Sequence, residues 1–287
     1  MSAAGDPRPE PLSRRREVSA TSARSLLLTV LGEFVLPSTG VDEPVWTQTL
    51  LDALGLVGVE EKSARQALAR TATDAVVVST RQGRRVRWSL SASGHRLLSE
   101  GAARIYGHGR PRPAWDGRWL VLVVSVPEAQ RQLRHQLRTR LAWAGLGSPA
   151  PGVWVCPDVG RAADAHRVLS EVGLADAALT VIGETVGGMT PARLLAQAWD
   201  LTDLEVRYED FVARFAELSP TDDAATLAAQ IRLVDAWRRF PFLDPQLPVE
   251  LLPERWAGGR AAEFFHARHA AWRPTARRHW RALLTRP

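Results

Sequence analysis

Residues 60–88, EEKSARQALARTATDAVVVSTRQGRRVRW, change their hydrophobic period without an intervening loop signal. In the first half, Ala64, Ala67, Leu68 and Thr71 recur at helical spacing, so Lys62, Ser63, Gln66 and Arg70 fall on the opposite side and Arg65 on the flank. From Ala75 the chain turns β-prone, AVVVST and then RRVRWSL, with RQG between them, where Gly83 can take a positive φ. A helix running almost directly into a hairpin leaves few small folds open.

The same stretch concentrates charge. From Lys62 to Arg87, the only lysine, Lys62, and Arg65, Arg70, Arg81, Arg84, Arg85 and Arg87 stand against one acid, Asp74. The local excess equals the formal net charge of the whole chain, +6, so everything outside the stretch sums to zero. Arginine richness alone says little, because a GC-rich genome also produces it. A localised excess, however, predicts a polyanionic partner.

The flanking segments complete the pattern. SARSLLLTVLGEFVLP carries Leu27, Leu28, Leu31 and Phe34 at helical spacing and ends at Pro37. PVWTQTLLDALGLVG starts extended at Val45–Trp46 and then becomes a helix near Thr47, with Leu50, Leu51 and Leu54 inward. SASGHRLLSEGAARIY closes the region as a further helix. Helix, short strand, helix, helix, hairpin and helix over residues 21–108 predict a winged helix-turn-helix. Its third helix would offer Lys62, Ser63, Arg65, Gln66 and Arg70 to the major groove, while Arg81, Arg84, Arg85 and Arg87 of the wing would meet phosphates. The alternative is a small helical domain with a solvated basic face. Residues 1–20 read as a mobile arm whose Arg14, Arg15 and Arg16 either brush DNA or are simply solvated.

GHGRPRPA marks a boundary, with the linker at 109–114. Over 115–189 strand and helix alternate. RWLVLVVSVP is a near-continuous apolar strand, and EAQRQLRHQLRTRLAWAG a helix with Leu133, Leu137 and Leu141 toward the sheet. SPAPGVWVCP then holds one strand or a tight pair, AADAHRVLSEVGL a helix, and AALTVIGETV a last strand. The order predicts a ferredoxin-like βαββαβ domain. Arg131, Arg134 and Arg138 form its outer helix face, which is either a second DNA contact, a dimer contact or a solvated surface. Residues 190–287 read as a helical domain, giving an α+β chain of three domains.

Other chemistry finds less support in these residues. The first strand of the middle domain ends in Ser125-Val126-Pro127 with Glu128 next, so no carboxylate stands at the strand end where a metal-dependent nuclease would need one. The chain is expected not to be an enzyme. Cys156, the single cysteine, excludes an intramolecular disulfide and has no neighbouring histidine to activate it. His266 and His269, with Glu263 one turn earlier and His279 further on, supply part of a metal site and nothing that completes it, so no metal is expected. Gly183, Gly187 and Gly188 of GETVGG lack the strand-then-helix context of a nucleotide-binding loop. No apolar run reaches bilayer length and the start resembles no signal peptide, so a soluble, cytoplasmic protein is expected.

Several segments together resemble the PaaX family of bacterial transcriptional regulators: SARSLLLTVLGEFV, ARQALAR with RQGRR behind it, GAARIYG, WDGRWLVLVVSVPE, LRTRLAWAGLGSPAPGVWVCP and WRRFPFLDPQLP. The similarity spans about residues 22–285 in the family's order. It implies a homodimeric repressor of double-stranded DNA with the three-domain order above, released in the namesake branch by phenylacetyl-coenzyme A. One departure stands out: family members carry glycine after the recognition helix, and this chain has Ala75 there. A coenzyme A thioester effector needs cations for its phosphates and an apolar slot for its acyl group. Arg238, Arg239, Phe240 and Phe242 of WRRFPFLDP offer those types; the alternative is an interdomain aromatic anchor with paired arginines. The rival function is a non-sensing architectural DNA-binding protein.

Overall fold

The computed structural model describes residues 22–36, 44–110 and 114–285. Arg14, Arg15 and Arg16 of the arm, Pro37, and residues 111–113 of the linker lie outside the described residues.

Ser22 starts α1 (Ala23–Val30), its side chain accepting from the Ser25 N–H at 3.1 Å. The helix then widens into one π-helical turn over Leu31–Val35, closed by the Leu36 N–H donating to the Leu31 carbonyl at 2.8 Å. Next come β1 (Val45–Trp46), α2 (Thr47–Leu56), α3 (Glu61–Thr73), β2 (Val77–Gln82), β3 (Arg85–Leu90) and α4 (Ala92–Gly107). The strands form an antiparallel sheet in the order β1-β3-β2.

The middle of the chain supplies β4 (Arg118–Val124), α5 (Arg131–Trp143), β5 (Gly147–Ala150), β6 (Val153–Cys156), α6 (Ala162–Glu171) and β7 (Ala178–Glu184). Its antiparallel sheet runs β5-β6-β4-β7. Both faces of β4 are in demand, which explains its continuous apolar sequence. Leu120, Leu122 and Val124 meet Leu137, Leu141 and Val168 on one side, while Trp119 joins Val155, Leu195 and Leu247 on the other. Cys156 is buried in the first of these cores.

The remainder is helical: α7 (Pro191–Ala198), α8 (Leu201–Ala216), α9 (Asp223–Trp237), the single turn α10 (Phe240–Leu243) and α11 (Ala257–Leu284). These helices do not keep to themselves. Leu227 and Ile231 of α9, with Ala276, Trp280 and Leu283 of α11, sit in one core with Leu27, Leu31, Phe34, Leu50 and Leu54 from the start of the chain. The Trp280 ring stacks on Phe34 at 5.4 Å between centroids.

A buried polar hub crosses that joint. Glu33, on the π-helical turn, accepts hydrogen bonds from the Tyr106 hydroxyl of α4 and from Gln230 Nε2 of α9 at 3.1 Å, and meets His269 Nε2 of α11 at 3.0 Å. Burial pushes its carboxyl up, but the hydrogen bond and charge of His269, with the bonds from Tyr106 and Gln230, outweigh it and hold Glu33 below the ordinary glutamate range. The wider turn brings a carboxylate inward from a helix face that otherwise carries leucine and phenylalanine.

Candidate nucleic-acid interface

α3 turns Ala64, Ala67, Leu68 and Thr71 into the first core. Small residues there let α3 lie close to α1, and the remaining positions, Lys62, Ser63, Arg65, Gln66 and Arg70, are all exposed. Arg65 is held back along its own helix by Glu61, at 2.8 Å from Nε and 2.7 Å from Nη2. An exposed i,i+4 pair of this kind is worth about 0.3–0.5 kcal/mol, so a phosphate or base edge displaces it at little cost.

The helix ends in a tight reversal. Ala75 takes φ 54°, in the left-handed region, and its N–H donates to the Ala72 carbonyl at 2.9 Å while Val76 N–H reaches Thr71 at 3.1 Å. Ser93 Oγ donates to the Ala75 carbonyl at 2.7 Å. The turn that glycine would make is therefore made by alanine.

β2 and β3 are in register from Val77↔Leu90 to Gln82↔Arg85, leaving Gly83 and Arg84 as a two-residue loop. Gly83 has φ 62°, a positive value at the first loop position as in a II′ turn. Arg81, Arg84 and Arg85 are exposed at this tip, and Arg81 Nε donates to the Gly83 carbonyl at 3.1 Å. β1 borders β3 and puts Trp46 opposite Arg87. The Arg87 guanidinium lies 4.1 Å from the Trp46 ring centre and that of Arg85 5.3 Å. Arg87 is thus half-buried against an indole, whereas the tip arginines are open. Nothing in the sequence singles out Trp46 for this task; only the β1–β3 pairing places it there.

Among the described residues, Lys62, Arg70, Arg81, Arg84, Arg85 and Arg87 have no carboxylate within ion-pair distance. Elsewhere some exposed arginines are paired, Arg24 with Asp74, Arg167 with Asp164 and Arg278 with Asp223. Others, such as Arg131, Arg134 and Arg138, have no such partner among the described residues; this surface differs in how many unpaired cations it gathers. The charge legible from Lys62 to Arg87 gathers on one helix–hairpin surface and, Arg65 apart, has no carboxylate at ion-pair distance.

The four residues of WRRFPFLDP separate. Arg238 is half-buried and donates to the Ser25 carbonyl at 2.9 Å and Thr29 Oγ1 at 3.3 Å, with Asp235 at 4.0 Å. Burial, partly offset by Asp235, holds its guanidinium below the ordinary arginine range. Asp235 is buried and accepts from Ser25 Oγ at 2.7 Å, a joint between α9 and α1. Phe240 is core, stacked on Tyr208 at 4.1 Å. Phe242 is exposed beside Arg104, 5.2 Å from ring to guanidinium. Arg239 and Phe240, together with Arg207, Arg214 and Arg232, border a cavity of about 270 Å³ between α1 and the later helices.

His266 and His269 turn to different partners, the His108 carbonyl at 3.3 Å and Glu33 at 3.0 Å. Among the described residues no His, Cys, Asp and Glu group is arranged to hold a metal, and no helix is long and apolar enough to cross a membrane.

Three family models match the chain in order: PaaX-like protein over residues 22–94, PaaX protein central Cas2-like domain over 112–195, and PaaX-like protein C-terminal domain over 199–282. The transcriptional repressor PaaX of Escherichia coli (strain K12) is 31% identical over 253 residues, covering 84% of this chain and 78% of that protein. The fold also matches an uncharacterized protein from Mycobacterium tuberculosis, with a TM-score of 0.62 and 23% identity over 91% of this chain and all of that one. With its three segments matched in sequence and the repressor aligned across them, the chain belongs to the PaaX family.

Proposed function

We propose that this protein is a DNA-binding transcriptional repressor that acts as a homodimer and is released from its operator by a coenzyme A thioester. Residues 21–108 act as a winged helix-turn-helix, 109–114 as a linker, 115–189 as a ferredoxin-like domain and 190–287 as a helical domain. The observation that carries the reading is the run of exposed cations without acid partners on α3 and the β2–β3 hairpin. The name of the Escherichia coli relative supports the repressor role.

In this reading α3 enters the major groove, where Gln66 and Arg70 address base edges, and Arg81, Arg84 and Arg85 hold phosphates from the wing. A two-fold dimer then requires a roughly palindromic operator. The edge strand β7, with Leu179, Val181 and Ile182 exposed, supports self-association through the middle domain. The effector reading is supported by the cavity bordered by Phe240, Phe211 and Leu26 of α1 and by Arg207, Arg214, Arg232 and Arg239, which outnumber its carboxylates Asp210 and Asp235.

Salt titration of DNA binding tests the core of the proposal. If each protomer neutralises roughly three or four phosphates, the log–log slope for the dimer is about −5 to −7, and replacing Arg84 and Arg85 by alanine makes it shallower on every sequence. Replacing Gln66 or Arg70 changes instead which bases are preferred. A slope near zero sinks the reading. Competition between the protein's own promoter and random DNA separates a repressor from an architectural protein. For the effector, a hundredfold loss of operator occupancy needs about 2.7 kcal/mol of differential affinity. A panel of acyl- and aryl-coenzyme A thioesters that moved neither melting nor DNA binding would remove the effector and leave the repressor.

A further inference from the structure

We propose that the last helix, α11, extends the DNA-contacting surface through a phosphate-binding stripe of Arg273, Arg277 and Arg281. The inference rests on the DNA-binding reading above and adds to it a contact outside the helix–hairpin unit.

The three arginines recur at intervals of four, so they share one face of α11 and span about 12 Å of its length. Like charges at this spacing destabilise a helix by a few tenths of a kcal/mol per pair. Among the described residues none of the three has a carboxylate at ion-pair distance. Glu33, whose charge reaches Arg277, is already engaged by Tyr106, Gln230 and His269. The contrast on the same helix is Arg278, held in a fork by Asp223 at 2.8 and 2.7 Å. Burial first, then the charges of Arg273 and Arg281, hold Arg277 below the ordinary arginine range despite Glu33, so the three guanidinium groups feel one another.

Position supplies the second argument. The C-terminal end of α11 is fastened beside the helix–hairpin surface. Thr49 Oγ1 donates to the Leu283 carbonyl at 3.3 Å, and Leu283 borders a pocket of about 430 Å³ shared with Arg65, Arg84 and Arg85. Ala276, Trp280 and Leu283 are buried in the core that also holds α3, so α11 cannot roll and the stripe keeps its bearing relative to the recognition helix. None of the three arginines borders the cavities described above. A row of cations spread along a helix, without an enclosing pocket, matches a linear polyanion better than a small ligand. One strand presents a phosphate about every 3.4 Å of duplex axis, so about 12 Å along that axis spans about three phosphates.

The test uses the full-length protein and a long random-sequence duplex, since phosphate binding is sequence-independent. Replacing all three by glutamine makes the salt slope shallower by about 5 for a dimer, about 0.9 for each of six phosphates, so with the stripe engaged the wild-type slope is steeper than the about −5 to −7 that the helix–hairpin contacts alone give. Replacing all three by lysine largely restores it, and Arg278→Gln leaves it unchanged. If the triple glutamine variant melts early, Arg281→Glu alone, at an exposed position two residues before Leu283, still makes the slope shallower. Wild-type affinity and slope in a well-folded triple glutamine variant overturn the inference. A wild type that shows no salt-dependent DNA binding overturns the DNA reading itself, and the stripe falls with it.

Discussion

Ala75 offers a direct measure of how the junction between α3 and the hairpin is built. Its φ of 54° is a conformation that costs a residue with a Cβ about 1–2 kcal/mol. Ala75→Gly removes that cost, and the side chain is exposed, so no packed methyl group is lost. Glycine makes the unfolded chain freer, which returns about 0.4–1 kcal/mol. The balance is a gain of roughly 0.5–1 kcal/mol, equivalent to a rise in melting temperature of about 1–3 °C for a chain of this size. The control is Ala69→Gly, six residues earlier, where alanine is exposed in the interior of α3. There the same chemical change costs about 0.5–1 kcal/mol, because the backbone is right-handed. Urea unfolding followed by circular dichroism compares the two. Opposite signs are required; an Ala75→Gly that destabilises as much as Ala69→Gly refutes the claim that the turn holds alanine in a strained conformation.

Gly94 faces the same junction from α4, and a Cβ there would stand 1.9 Å from the Val76 carbonyl oxygen, so Gly94→Ala is expected to lose about 1–3 kcal/mol or more in urea unfolding. Asp235→Ala leaves Arg238 half-buried without its carboxylate and is expected to cost on the order of 3 kcal/mol, read from the urea midpoint. The Glu33 carboxyl titrates lower in the folded chain than its ordinary 4.5, so its contribution is fully present above that pH and is lost as the pH falls through the folded value. Stability measured between pH 7 and pH 3 should therefore drop less steeply in Glu33→Gln, which starts lower, than in the wild type.

Much of the helix–hairpin surface is legible in the sequence. The buried side of α3, Ala64, Ala67, Leu68 and Thr71, follows from spacing alone, and so does the exposure of Lys62, Gln66 and Arg70. Gly83 at the loop follows from turn chemistry, which acts within a few residues, whereas SPAPGVWVCP, open in sequence between one strand and a tight pair, is the pair β5–β6 in the structure. Ala75, in sequence only an exception to a pattern, is the residue that the turn forces into the left-handed region. The residue types of WRRFPFLDP are equally plain, yet their partners are not. Arg238 and Phe240 serve a joint and a core, while Arg239 borders a cavity with arginines from α8 and earlier in α9.

By itself, then, the chain's order of residues determined local periodicity, the hinge of the hairpin and the place where positive charge accumulates, because each depends on neighbours a few positions apart. Only the tertiary structure decided that α9 and α11 complete the core begun by α1 and α2, that Glu33 becomes a buried hub, and that Trp46 backs Arg87. Those contacts join residues as far apart as Phe34 and Trp280, 246 positions. They arise because the apolar faces of α1 and α2 must be covered, and the helices that cover them carry their own polar and basic residues to the joint.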